Sequence, residues 1–302
     1  MRLLIDSPQG LSGEVLASEL GITRAAIWKT VRSLEEDGAQ IESLRGQGYR
    51  LRTLPYNQLA LSCLLPVPVC FYDDIDSTNS QARRLAGQGM KPPFVVVART
   101  QSGGRGRRGR TFVSADGGIY MSLVVPASSY GNVETLTTRC ALGVSDALSS
   151  LGFDSAIKWV NDIFVNGRKV VGILCEGVVS LEEMRVEEVV LGIGVNYETA
   201  LFPSQLDGIA GSLYPDGAPL PKSLFLKELV DSVLRALNED GYISRYRERC
   251  FILGRRINVI SSSDTRAATA LDVDDNAHLL VRYDDGSEEA LSSGEVSIRQ
   301  AP

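Results

Sequence analysis

An α+β fold in three successive units is predicted for this chain of 302 residues. Three observations predict it. A helix, a glycine-containing turn and a second helix open the sequence and lead into two short strand-like runs. A long middle region then alternates apolar β-like runs with helical stripes. Short strands separated by turn residues fill the last part of the chain.

Residues 1–54 read as a winged helix-turn-helix. Ser12 precedes a helical stretch at 13–20, and Gly21 closes it. The Thr23 hydroxyl can cap a second helix, where Ile27, Val31 and Leu34 fall at i, i+4 and i+7 and share one face. Gly38 acts as its stop. Strand-like runs at 39–43 and 49–52 flank Gly46-Gln47-Gly48, which makes a hairpin, or wing. The polar side of the second helix carries Arg24, Lys29 and Arg32, with Trp28 among them. Seven basic residues balance seven acidic ones over 1–54, but the positive ones gather at the start of that helix and, as Arg45, Arg50 and Arg52, on the wing. A basic recognition-helix start suits contact with phosphates and base edges. Thr23, Arg24, Trp28, Lys29 and Arg32 are therefore the candidate DNA-binding residues. The alternative is a winged helix that only packs against its neighbour.

Residues 56–250 form the second unit. Strand-like runs at 94–98, 119–125, 156–160, 171–176 and 186–195 alternate with helical ones. Leu136, Cys140, Val144, Ala147, Leu148 and Leu151 make one helical stripe, closed by Gly152. Leu226, Leu229, Val230, Val233 and Leu237 make another. The expected arrangement is a mixed sheet with helices covering one face. Residues 251–302 carry short strands at 257–260, 267–273, 277–283, 288–291 and 296–299, with a hairpin turn at Asp284-Asp285-Gly286. They suggest a small closed β-barrel.

Composition narrows the chemistry. Hydrophobic residues at 44% and charged residues at 23% suit a soluble globular protein. No apolar run approaches the ~20 residues that span a bilayer. The opening Met1-Arg2-Leu3-Leu4-Ile5-Asp6 breaks after three apolar residues, so a secretory leader is not expected and a cytoplasmic location is. The five cysteines (Cys63, Cys70, Cys140, Cys175, Cys250) have no CxxC spacing and read as reduced thiols. With His278 as the only histidine, His-pair metal sites are excluded and a Ser-His-Asp hydrolase is disfavoured. Catalysis must run on Lys, Arg, Asp, Glu or the backbone. A net charge of −6 argues against wholesale coating of nucleic acid.

The sharpest feature is Gly104-Arg105-Gly106-Arg107-Arg108-Gly109-Arg110, four arginines and three glycines in seven residues. Glycine lets the backbone approach a ligand, and arginine offers planar donor forks to phosphate and carboxylate. The segment suits wrapping a polyanion and is expected to be mobile until one arrives; the bland alternative is a solvated linker. Its glycines match G-x-G-x-x-G, but a strand follows where a dinucleotide fold needs a helix. Around it stand Asp76-Ser77-Thr78-Asn79 before a helix, Gln101, Lys158-Trp159-Val160-Asn161-Asp162 at a strand end, Arg168-Lys169 and Gly172 at a strand start, and the glycines of 192–196. The Ser-Thr-Asn group read alone is only a helix cap. Asp162 can meet Mg²⁺, which prefers carboxylates and substrate phosphates.

In that order, these segments resemble the catalytic domain of biotin protein ligases. With the winged helix and the small barrel, the resemblance extends over nearly the whole chain and to the bifunctional subclass that is also a repressor. It implies a central biotin/lipoate ligase-like domain and an SH3-like C-terminal barrel. One departure is Val160, where the family usually has proline; it removes no donor or charge. Between 205 and 215 the only aromatic is Tyr214, which leaves the family's adenine-stacking residue unplaced.

The resemblance implies roles residue by residue. Ser77, Thr78 and Asn79 would line the biotin and nucleotide pocket, and Gln101 would bind the biotin head. Arg105, Gly106 and Arg107 would contact biotin and its adenylate, with Gly172 beside them. Lys169 would meet the carboxylate and α-phosphate; Lys158, Asn161 and Asp162 would support the phosphates and metal. Arg105, Arg107, Lys158 and Lys169 are thus the catalytic candidates. The implied reaction joins biotin's carboxylate to the α-phosphorus of ATP with Mg²⁺, then passes biotin to a lysine of a biotin carboxyl carrier protein. Two anions must meet, so cationic clamping is the main requirement. The implied assembly is a homodimer that binds operator DNA when charged with the adenylate. A lipoate or octanoate ligase, a catalytically inactive biotin sensor and, more remotely, a nucleotide-dependent oxidoreductase are the alternatives.

Overall fold

A computed structural model describes residues 1–44, 46–180, 185–261, 264–292 and 297–300. Arg45 on the wing and Val296 at the start of the last expected strand lie outside the described residues.

The first unit holds α1 (Arg2–Ile5), α2 (Gly13–Leu20) and α3 (Arg24–Glu36), followed by the antiparallel hairpin of β1 (Gln40–Leu44) and β2 (Gly48–Thr53). The caps are those the sequence suggests: Ser12 Oγ accepts from Val15 N at 3.1 Å, and Thr23 Oγ1 from Ala26 N at 3.2 Å. Leu4, Leu16, Ile27 and Val31 form its core. A second cluster, Leu54, Ala60 and Leu64 with Met1, Ile5 and Leu224, seats the unit on the middle of the chain.

The central unit comprises α4 (Gln58–Leu64), β3 (Val69–Ile75), α5 (Thr78–Gly87), β4 (Phe94–Gln101), β5 (Ile119–Pro126), α6 (Leu136–Ser150), β6 (Ser155–Lys158), β7 (Asp162–Val165), β8 (Arg168–Ser180), β9 (Arg185–Val195), α7 (Lys222–Leu237) and α8 (Tyr242–Arg249). Its sheet runs β3-β4-β5-β9-β8-β7-β6, parallel only between β3 and β4. Helices α4 and α8 and strands β3 and β7 were not anticipated from the sequence. Nor do the helices cover one face only. Val95 and Val97 point into the core with α6 and α7, whereas Phe94, Val96, Val124 and Val190 pack with Ala82 of α5. The run 94–98 is buried at every position, the pattern of a strand covered on both sides.

The last unit has β10 (Arg256–Ile260), β11 (Thr265–Val273), β12 (Leu279–Tyr283), β13 (Glu288–Leu291) and β14 (Ser297–Gln300). They pair antiparallel in the order β13-β12-β11-β10-β14. They are the small antiparallel all-β unit that the short strands suggest. Its apolar side, with Ile257, Ala268 and Val281, shares the core of the central unit.

Candidate functional site

The face of the central sheet under α5 is only partly roofed, because α5 is ten residues long. Beyond its N-terminus the strands carry glycine where side chains would otherwise fill the space. Gly172 of β8 pairs with Gly194 of β9, and Leu174 with Gly192. A Cβ on Gly194 would lie 2.5 Å from the Phe112 ring, one on Gly172 2.9 Å from it, and one on Gly192 2.1 Å from Asn79 Oδ1. The glycines therefore hold open a cavity of about 610 Å³, a size usual for small-molecule sites.

Ser77, Thr78, Asn79, Gln101, Arg105, Gly106, Arg107, Lys158, Asn161, Asp162, Lys169 and Gly172 all line this cavity. Distant segments meet because the ends of β4, β6 and β8 and the start of α5 converge there. Thr78 donates from N and from Oγ1 to Gln101 Oε1, at 2.8 and 3.1 Å, and Gln101 Nε2 donates to Ser114 Oγ at 2.8 Å. Asn79 is fixed from three sides. Its Nδ2 donates to Glu176 Oε2 at 2.7 Å and to Leu174 O at 3.3 Å, and its Oδ1 accepts from Ser122 Oγ at 2.6 Å. Asn79 thus shapes the wall more than it offers free donors. Ser77 is the N-cap residue just before α5, but its side chain makes no capping bond.

Six cations face the cavity (Arg105, Arg107, Arg108, Arg110, Lys158, Lys169) against one acid, Asp162, among the described residues. Lys169 Nζ lies 2.6 Å from Asp162 Oδ1. Arg107 donates to Asn161 Oδ1 at 3.3 Å. Burial pushes its guanidinium below its ordinary pKa, with Asp162 acting in the opposite sense. A cation already partly stripped of water interacts strongly with an arriving anion. The arginine segment is not a featureless linker. A short 3₁₀ turn spans Arg107–Gly109, Arg105 bridges to Thr111, and Arg108 Nη1 donates to Ile260 O at 2.9 Å. The strand-entering stretch after it confirms that no dinucleotide-type helix follows.

Two linked features were not read from the sequence. Phe112 is a wall of the cavity, lying on Gly172 and Gly194 and edge-on to Tyr120 at 6.4 Å. Trp159 Nε1 donates to Ala277 O at 3.0 Å and so ties the 158–162 segment to the last unit; the Trp159–Val160 peptide is cis. The paired glycines of β8 and β9 were the available signal for Phe112. Tyr214 lies outside the cavity, packed edge-on against Phe153 and Tyr197 at 5.2 and 5.1 Å. From its neighbourhood only Leu206 and Ile209 reach the lining. His278 sits away in the last unit beside Asp274, 3.1 Å from it.

The donor set gives one test for magnesium. Mg²⁺ needs six oxygens, and no cluster of three acidic, histidine or cysteine side chains exists among the described residues. Asp162 is the one carboxylate lining the cavity among the described residues, which suits a Mg²⁺ held mainly by water and substrate phosphates.

On the first unit, Thr23, Arg24, Trp28, Lys29 and Arg32 are all exposed, Trp28 at 56%. Arg32 lies 5.9 Å from the centre of the Trp28 ring. Part of the expected charge is already compensated: Arg24 pairs with Glu14 at 2.8 Å, and Arg50 and Arg52 of the wing pair with Glu42 at 3.9 and 2.5 Å. Lys29 and Arg32 dominate the exposed face. No helix is long and apolar enough to cross a membrane among the described residues.

Residues 72–196 match the biotin/lipoate A/B protein ligase family, residues 1–50 an HTH domain, and residues 252–299 the biotin protein ligase C terminal domain. The chain is 30% identical to the bifunctional ligase/repressor BirA of Bacillus spizizenii over 94% of this chain and 92% of that protein. It is 28% identical to BirA of Escherichia coli, over 96% and 93% respectively. The fold is similar to that of a biotin protein ligase from Aquifex aeolicus solved with biotin and ATP, at a TM-score of 0.68 and 23% identity over 78% of this chain and 99% of that one.

Proposed function

Since this chain belongs to the family of biotin protein ligases that double as repressors, we propose that the cavity under α5 is where it makes and keeps biotinyl-5′-adenylate. The chain is an ATP-dependent biotin ligase and a repressor with an N-terminal DNA-binding unit. The observation that carries the site assignment is the charge of the cavity: six cations and one carboxylate around about 610 Å³, with a partly apolar floor.

Biotin's ring system takes the end walled by Thr78, Gln101 and Phe112, where the Gln101 amide is held in place by Thr78 and Ser114. Its carboxylate extends toward Lys169 and Arg107. Mg·ATP enters as substrate at the cationic end, and Asp162 and Asn161 face its metal and phosphates. The carboxylate oxygen attacks the α-phosphorus and pyrophosphate leaves. Lys169, Lys158, Arg105 and Arg107 act by holding two anions together and by stabilising charge on the phosphorus oxygens, so no histidine is required. Lys169 exchanges its Asp162 partner for the substrate's negative charge. The 104–110 segment closes over the mixed anhydride and excludes water. A lysine of a biotin carboxyl carrier protein then takes the biotinyl group and releases AMP. The charged form dimerises, and the two winged helices read a palindromic operator in the cytoplasm.

The test mixes the full chain with biotin, Mg·ATP and an apo carrier domain and reads the carrier's mass. One biotinyl group on the acceptor lysine is expected. A well-folded protein that leaves biotin unattached, or that loads lipoate in preference, would overturn the proposal.

A further inference from the structure

Glu176 is not part of the cavity wall, yet it touches two groups that shape it. Side chains alternate along β8, so Gly172, Leu174 and Glu176 share a face, and Glu176 continues the floor beneath α5. Its side chain is 21% exposed. A single oxygen, Oε2, accepts from Asn79 Nδ2 at 2.7 Å and from Arg105 Nη2 at 3.3 Å. Its other oxygen lies 3.7 Å from Arg83 Nη1. Arg105 also reaches Ser80 Oγ of α5 at 3.4 Å.

We infer that Glu176 is a positioning residue that anchors Arg105 against α5 and thereby sets where the arginine segment closes over the adenylate. Arg107 and Arg108 have anchors on Asn161 and on Ile260 O; Arg105 is tied to the sheet floor through Glu176. An arginine fork has five N–H donors. Holding one nitrogen on Glu176 keeps the plane in register while other donors face the ligand. Asn79 has further partners in Ser122 and Leu174, so its orientation does not depend on Glu176 alone. The inference rests on the reading of the cavity as the adenylate site and adds a residue to it.

Glu176→Gln separates the two contacts. Glutamine keeps the size and an acceptor for Asn79 but removes the charge that draws Arg105. The full chain is given biotin and Mg·ATP, and the dissociation of biotinyl-adenylate is followed after dilution. Dissociation about tenfold faster is expected, from the loss of one charge-assisted hydrogen bond, while biotin affinity without ATP stays within about twofold of wild type. In the Arg105→Ala background the same substitution should add nothing. Equal retention by Glu176→Gln and wild type would overturn the inference. So would effects of the two substitutions that multiply, or a parallel fall in biotin affinity, which would mark Glu176 as a support for Asn79 only. A wild-type chain that forms no adenylate would instead overturn the reading of the cavity, and this inference with it.

Discussion

Replacing Gly192 by alanine adds one methyl group at the most crowded point of the site. Its Cβ would stand 2.1 Å from Asn79 Oδ1 and 2.9 Å from Nδ2, where ordinary contact begins at 3.4 Å. The amide must therefore retreat by about 1.3 Å. It has little room to do so: Asn79 is 4% exposed and held by Ser122 at 2.6 Å and Glu176 at 2.7 Å. Overpacking of this kind costs about 1–3 kcal/mol, and a buried hydrogen-bonding group left unpaired costs ~1–3 kcal/mol more. Part of that penalty falls on binding, since Asn79 and Gly192 both line the cavity. Each 1.4 kcal/mol is about a factor of ten in affinity. Calorimetric titration with biotin should show Gly192→Ala binding at least ~10-fold more weakly, with a lower melting temperature for the free protein. Wild-type affinity and melting would mean that the β9 floor does not shape the ligand site.

Arg107→Ala should slow biotin-dependent adenylate formation by about 10²–10³, the scale for losing one preorganised donor to developing charge; pyrophosphate exchange measures it, and an unchanged rate would remove Arg107 from the mechanism. Lys29→Ala should weaken binding to any operator fragment and lower the slope of log K against log salt by about 1, read by fluorescence anisotropy at several salt concentrations. Glu14→Gln, which frees Arg24 from its partner, should tighten DNA binding in the same assay, and weaker binding would count against Arg24 as a phosphate contact. Burial pushes the Cys175 and Cys250 thiols up to about 11 from the usual 9.0. Both lose protons more readily when unfolded, so the fold should lose stability as pH rises from about 9 toward 11. Denaturant midpoints across that range check the sign, and Cys175→Ala should flatten the decline.

The elements that strong local signals define were legible. Ser12, Gly21 and Thr23 punctuate α2 and α3 because their caps use only neighbouring backbone groups. The stripe from Leu136 to Leu148 is buried as the helical period requires. Short elements such as α4 and β7 escaped, since seven and four residues carry too little periodicity. The unbroken apolar run 94–98 carried the signal of a second cover, but not which helix supplies it: the face of Phe94 and Val96 meets α5 and not α6. Within the site, the arginine segment and the 158–162 segment were visible because charge and glycine so seldom cluster this way between strands. Phe112 and Glu176 were not, because their places depend on which strands become neighbours, and only the β8–β9 register brings Gly172 opposite Gly194. The compensation of Arg50 and Arg52 by Glu42 likewise follows from hairpin register, which pairs Glu42 with Arg50.

Amide hydrogen exchange over 104–112 tests the closing of the arginine segment most directly. With biotin and ATP present, those amides should exchange at least about tenfold more slowly than in the free protein, since local opening must then break ligand contacts, while the winged helix changes little. Exchange there that stays the same with and without both ligands would contradict the account, because the segment would then be sealing nothing.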